Sequence, residues 1–243
     1  MKKTMTILAG LLACLAGSIP ARAQDQPELQ AFQEVAGDHS ILFRSKQATR
    51  YNLPANGNPY WSGPGFERGD IHFEGNYYSN VPLNIDATTQ RVLVQLSGSP
   101  FAVALTPEQT PSFTIGEREF VGIGSGDVLP EGYYEVFGEG RERIYKHIAK
   151  VLSSSVFNMN GEGIGYFDNN YREDVTRYFA YHQTYYFRDA DGKFTRFKGR
   201  NALIRQYPGR RQEIRKAIRD AQMYGRNYPF DDFCKAVLKI TAR

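Results

Sequence analysis

A mainly β, α+β fold is predicted for this chain: a curled, half-barrel-like antiparallel β meander followed by two or three C-terminal helices. Three observations carry that reading. Short runs of alternating apolar and polar residues recur between Gly-, Pro- and Asn-containing turns from position 70 to 198. Their spacing leaves no room for the helical crossovers that parallel strands need. Beyond position 200 the apolar period lengthens, with Ile214, Ala217, Ile218 and Ala221 at i, i+3, i+4 and i+7.

Residues 1–23 read as an export signal: Lys2 and Lys3, an apolar run over 5–16, then Ala21-Arg22-Ala23 as the cleavage site. Leu11-Leu12-Ala13-Cys14 offers an alternative cut that would leave a lipid on Cys14. No later run reaches the roughly 18 to 20 apolar residues of a membrane-spanning helix. The expected compartment is periplasmic or extracellular, in a bacterial cell envelope. Residues 24–58 form an N-terminal segment with a short helix over 27–36 and a strand at Ile41-Leu42-Phe43. Residues 59–199 carry the sheet, and 200–243 form the helical part of the same domain.

Between 56 and 69, Gly57, Pro59, Gly63, Pro64 and Gly65 space out Tyr60, Trp61 and Phe66, which marks a structured loop. Trp61 either pins that loop to the core or stacks on a ligand. Strands are expected at 71–74, 83–85, 91–96, 101–105, 112–115, 118–123, 133–137 and 141–149. The clearest hairpin spans 132–150 around Gly138-Glu139-Gly140, with Tyr134, Val136, Ile144 and Ile148 as its apolar positions. Tyr134 and Val136 are expected on a concave face, where with Trp61 they are the candidate ligand-binding residues. Residues 153–174 read as a long Gly-, Asn- and Ser-rich loop, either a mobile flap or an insertion. A last hairpin, 178–188 with 193–198, turns at Asp189-Ala190-Asp191-Gly192. Helices follow over 201–207, around 211–221, and from Asp231 or Asp232 as cap through Ile240.

Sixteen Tyr and 16 Phe favour sheet. Without the three basic leader residues the chain has 27 Lys and Arg against 26 Asp and Glu, so overall charge points to no polyanion. The charge is unevenly spread: residues 193–243 carry 14 basic and 4 acidic residues. Arg210, Arg211, Arg215, Lys216 and Arg219 form a candidate patch for an anionic partner, such as lipid headgroups, an acidic glycan or an acidic protein. Nucleic acid is not expected, because no binding motif accompanies the charge.

After the leader the chain keeps one cysteine, Cys234, so no intrachain disulfide and no multi-thiolate zinc site is expected; Cys234 reads as a small buried hydrophobe. His39, His72, His147 and His182 fall in no metal-ligand spacing. No cofactor, metal or catalytic residue is therefore assigned. Gly122-Ile123-Gly124-Ser125-Gly126 leads into a strand where a phosphate loop would open a helix, and reads as a bend. Asp168, Asn169, Asn170, Glu173 and Asp174 are solvated loop polarity or a weak calcium site.

Gly132-Tyr-Tyr-Glu-Val-Phe137, the basic strand ending at Lys150, Gln183-Thr-Tyr-Tyr-Phe187 with its Asp191-Gly192-Lys193 turn, the Gly75 to Tyr78 hairpin and the basic tail together resemble an uncharacterised family of exported proteins common in the Bacteroidetes. The resemblance covers residues 57–243 and departs from the family's usual Leu and Lys at Arg143, Tyr145 and His147. It implies the fold and no activity. The expected function is that of a non-enzymatic interaction or accessory protein of the envelope. The alternatives are a carrier of a lipid or other apolar ligand, and an enzyme whose site is dispersed over His72, His147, His182, Glu135 and Asp174.

Overall fold

The structure is a computed structural model that describes residues 42, 45–49, 51, 54–95, 101–157, 174–223 and 228–242. The leader with Cys14, the 27–36 helix, His39 and residues 158–173 of the long loop lie outside the described residues. Of Ile41-Leu42-Phe43 only Leu42 is described, and it is buried.

Among the described residues ten strands form one antiparallel sheet: β1 (Glu67–Phe73), β2 (Asn76–Asp86), β3 (Arg91–Gln95), β4 (Ala102–Leu105), β5 (Ser112–Ile115), β6 (Arg118–Ile123), β7 (Gly132–Phe137), β8 (Arg143–Phe157), β9 (Asp174–Arg188) and β10 (Phe194–Phe197). Their order is β10-β9-β8-β7-β6-β5-β1-β2-β3-β4. A single meander is thereby corrected to two, β1 to β4 and β5 to β10, joined where β5 lies beside β1. The compact turn after β4 carries the chain to that seam, with Gln109 and Thr110 donating back to Thr106. Gly122 lets this turn approach, since a Cβ there would meet Thr110 O at 2.5 Å.

The hairpin 132–150 also differs from expectation. Its turn pairs Phe137 with Ile144, Val136 with Tyr145 and Tyr134 with His147. Because neighbours in a strand point to opposite faces, Tyr134 and Val136 share a face with Tyr145 and His147, not with Ile144 and Ile148. The inner face instead carries Tyr133, Glu135 and Phe137. That face holds two hydrophobic cores: one from β1 to β6 with Leu42, Trp61, Tyr133 and Ile148, the other from Phe137, Ile144, Tyr185, Phe187 and Phe197 under the helices.

Residues 56–61 strap across this face. Asn56 exchanges backbone hydrogen bonds with Arg177 and Phe179 of β9, and at the other end Trp61 N donates to Ile85 O. Midway, the Lys150 ammonium donates to Asn58 O at 3.0 Å, to Asn58 Oδ1 and to Tyr60 O. Trp61 meets Phe120 edge-on at 5.4 Å, so it pins the loop to the core.

Helices α1 (Arg200–Ile204), α2 (Arg211–Asp220) and α3 (Phe230–Thr241) bury Leu203, Ile214, Ile218, Phe233 and Val237 in the second core. Cys234 is buried with them, and burial pushes its thiol pKa up, away from reactivity. No described helix is long and apolar enough to cross a membrane.

Candidate functional site

The residues expected to bind ligand do not meet. Trp61 lies in the inner core, whereas Tyr134 and Val136 are buried on the opposite face. There Tyr134 stacks on His147 at 4.8 Å and donates to Pro130 O at 2.7 Å. The dispersed catalytic set scatters as well. His72 lies tilted against Tyr77, His182 is exposed, Asp174 pairs with Phe157 at the far end of β9, and Glu135 faces inward.

His147 is held by Gln90. The Gln90 amide donates to Ala87 O and Ile148 O, so its Oε1 must accept, and His147 Nε2 lies 3.1 Å from it. The imidazole is thereby fixed as the neutral Nε2–H tautomer. Burial lowers its pKa to about 4. An unfolded histidine binds its proton near pH 6.5, so between pH 6.5 and 4 the unfolded state holds the extra proton and stability falls as pH drops. A titration followed by NMR is expected to show His147 neutral down to about pH 4. His147→Gln should flatten the stability loss between pH 6.5 and 4 by up to about 3 kcal/mol.

The basic patch is only partly available. Arg210 donates to the terminal α3 carbonyls of Ile240 and Thr241 and pairs with Glu213 at 2.8 Å, so it ties α2 to α3. Arg210→Ala should lower the thermal midpoint, and Arg215→Ala should leave it unchanged. Arg211 donates to Arg205 O. Arg215, Lys216 and Arg219 are exposed on α2.

A cluster that sequence reasoning missed lies between the two cores. Lys146 on β8 contacts Glu135 of β7 at 3.3 Å and Asp231 of α3 at 2.5 Å. Tyr185 donates to the other Asp231 oxygen at 2.6 Å, and Gln183 bonds the Tyr185 hydroxyl. Asp231 is therefore spent on the sheet; Pro229 occupies the cap position of α3. Burial alone would pull the Lys146 pKa down, but the hydrogen bond to Asp231 and the charge of Glu135 outweigh it and raise it. A nucleophilic or basic lysine needs the opposite shift. The cluster fastens α3 to the sheet. Its trace in the sequence is a charged residue at an inward position on each of two adjacent strands, Glu135 on β7 and Lys146 on β8.

The feature that remains unsatisfied is the long β8–β9 ribbon. Each strand has 15 residues, yet β7 pairs with β8 only over Ile144 to His147. The expected loop at 153–174 is corrected accordingly: β8 runs on through Phe157 and β9 begins at Asp174. Ten residue pairs of the ribbon, some 34 Å, lie beyond the last β7–β8 pair, Tyr134 with His147. The ribbon exposes Val151, Leu152, Tyr178 and Tyr181, the last 51% accessible. Val151 and Tyr178 lie on one face, and Leu152 and Tyr181 on the other. Near the base of the ribbon a cleft of about 560 Å³ opens between Gln183, Tyr185, Phe197 and Phe230, with Arg196 and Lys198 also lining it. Under Trp61 the core leaves about 0 Å³ open to a water-sized molecule, against the roughly 300 to 1,000 Å³ of a usual ligand site.

Compared with known proteins, the chain matches no family model, no curated protein and no solved structure.

Proposed function

We propose that this is an exported, non-enzymatic interaction or accessory protein of a bacterial cell envelope, and that it docks a protein partner through the β8–β9 ribbon. One observation carries the reading: four large apolar side chains, Val151, Leu152, Tyr178 and Tyr181, stand exposed on a two-stranded extension. Two stand on each face of the ribbon, Val151 with Tyr178 and Leu152 with Tyr181, and apolar groups exposed together on one face mark interaction sites. A protein partner is favoured over a lipid because, among the described residues, β8 beyond Lys150 has β9 as its one paired strand, and its other edge offers backbone groups to an added chain. The export leader and the family resemblance support the envelope setting.

The sheet curls into a half-barrel in this reading. Two connections support it: the strap from Asn56 to Trp61 links β9 to β2, and Lys150 N donates to Ala87 O at the β2–β3 turn.

Affinity capture with the mature protein from its own envelope extract is the test, run beside Val151→Asp/Tyr178→Asp. The expected result is one protein recovered with the wild type and reduced about tenfold or more with the variant, as loss of a central apolar anchor does. Circular dichroism should show both folded. Equal recovery with both proteins, or none with either, rejects the reading.

A further inference from the structure

The outer edge of β9 is occupied at two places. Asn56 bonds to Arg177 and Phe179, and β10 pairs with β9 over Tyr185, Tyr186, Phe187 and Arg188. In an antiparallel strand alternate residues turn their N–H and C=O to the same side. Phe179 and Tyr185 both use the outer side, so Tyr181 and Gln183 between them present their backbone groups there too. Neither backbone meets a strand on that side among the described residues. The gap has a local cause. β10 would run on past Phe197 along this edge, but Gly199, at φ 79°, turns the chain into α1.

The cleft of about 560 Å³ adjoins this gap. On its inner side stand Tyr185, Phe197 and Phe230, with Tyr185 and Phe230 edge-on at 4.8 Å. Arg196 and Lys198 alternate with Phe197 along the chain, so they fall on the opposite side, and both are exposed. The nearby Asp231 carboxylate is already bound to Lys146 and Tyr185. No described carboxylate pairs with Arg196 or Lys198.

We infer that this gap is a strand acceptor: an extended segment of a protein partner, alternating acidic and apolar residues, adds beside β9 in line with β10. Its main chain bonds to Tyr181 and Gln183. Its acidic side chains meet Arg196 and Lys198, and an apolar one enters the cleft against Phe230. From Phe179 to Tyr185 the edge is about 20 Å long, room for about five extended residues. Strand addition draws affinity from main-chain bonds and specificity from alternate side chains, and this edge supplies both. The inference rests on the interaction reading above and names the partner's chemistry.

The test uses the full mature protein and fluorescein-labelled pentapeptides read by polarisation. Glu-Val-Glu-Val-Glu should bind, and Lys-Val-Lys-Val-Lys should bind at least about tenfold more weakly, as expected when like charges are juxtaposed. Arg196→Glu/Lys198→Glu should reverse that preference. Two N-methylated forms of the acidic peptide, one methylated on every Val and one on every Glu, separate strand addition from charge attraction. Only the set whose N–H groups face β9 should lose binding, and the Tyr181 and Gln183 amides should become protected from exchange when the parent peptide is added. No binding at about 1 mM peptide, the weak end of specific affinity, overturns the inference. So does an equal effect of both methylations, or a charge preference untouched by the double variant. If capture from the envelope is lost with Val151→Asp/Tyr178→Asp while the pentapeptides fail these tests, the interaction reading stands and the acceptor falls.

Discussion

Replacing Lys146 by Met is expected to destabilise the protein by about 3 to 5 kcal/mol, the cost of breaking a buried ion pair by removing one partner. The side chain is 10% exposed and that of Glu135 6%, so little water is present to take over. Without the ammonium, Glu135 is left buried and faces the half-buried Asp231 with no cation between them. Glu135→Leu/Lys146→Met removes both members of the most buried pair and leaves Asp231 with the Tyr185 hydroxyl in the first turn of α3. That variant should recover about half of the loss or more, because apolar replacement of a whole buried pair is often neutral. Urea denaturation of the single and double variants checks both figures. Because the folded-state pKa of Lys146 is raised, its contribution is complete below pH 10.5 and is lost only as pH rises above that.

The second large effect is expected at Gly69. A Cβ there would lie 1.9 Å from Thr114 O and 3.1 Å from Leu83 Cδ1, and the first of these is backbone. Gly69 sits at the bulge of β1, where the pairing with β2 shifts register between Gly69 and Ile71. The same stretch forms the seam with β5: Ile71 pairs with Phe113, Asp70 N donates to Thr114 Oγ1, and Gly116 N donates to Arg68 O. Gly69→Ala must push β1 and β5 apart along the junction of the two meanders. A loss of about 3 kcal/mol, at the upper end for overpacking, is expected by thermal or denaturant unfolding. Gly140→Ala, with no atom near its added Cβ, serves as the control.

Much of this architecture was legible from local chemistry. Asp189 to Gly192 forms the expected turn because the Asp189 carboxylate accepts from the Asp191 and Lys193 amides and Gly192 takes φ 87°. Strands β5 and β6 match their sequence reading residue for residue, since Gly116 at φ 57° sets a tight turn between them. Helix α2 follows its apolar period, with Ile214 and Ile218 buried. The errors concern pairings between distant segments, which local periodicity does not encode. Alternation alone could not say which residue of β7 faces which residue of β8, so Tyr134 and Val136 were expected on the inner face with Ile144. Nothing local in β1 announced that β5 would pair with it. In sequence the ribbon reads as a loop because its Ser153-Ser154-Ser155 run is polar and the neighbouring 158–173 is rich in Gly and Asn. Lys146 and Glu135 looked like ordinary polar alternation until the register placed them together and Asp231 arrived from 85 residues away.

The β8–β9 ribbon is proposed to meet a protein. Its most direct test is site-specific photo-cross-linking in producing cells, with a benzoylphenylalanine placed at Tyr178 and, separately, at Val128, which is 82% exposed and lies off the ribbon. A discrete cross-linked protein from position 178 and none from position 128 is the predicted result. No adduct from 178, or the same adducts from both positions, would contradict it.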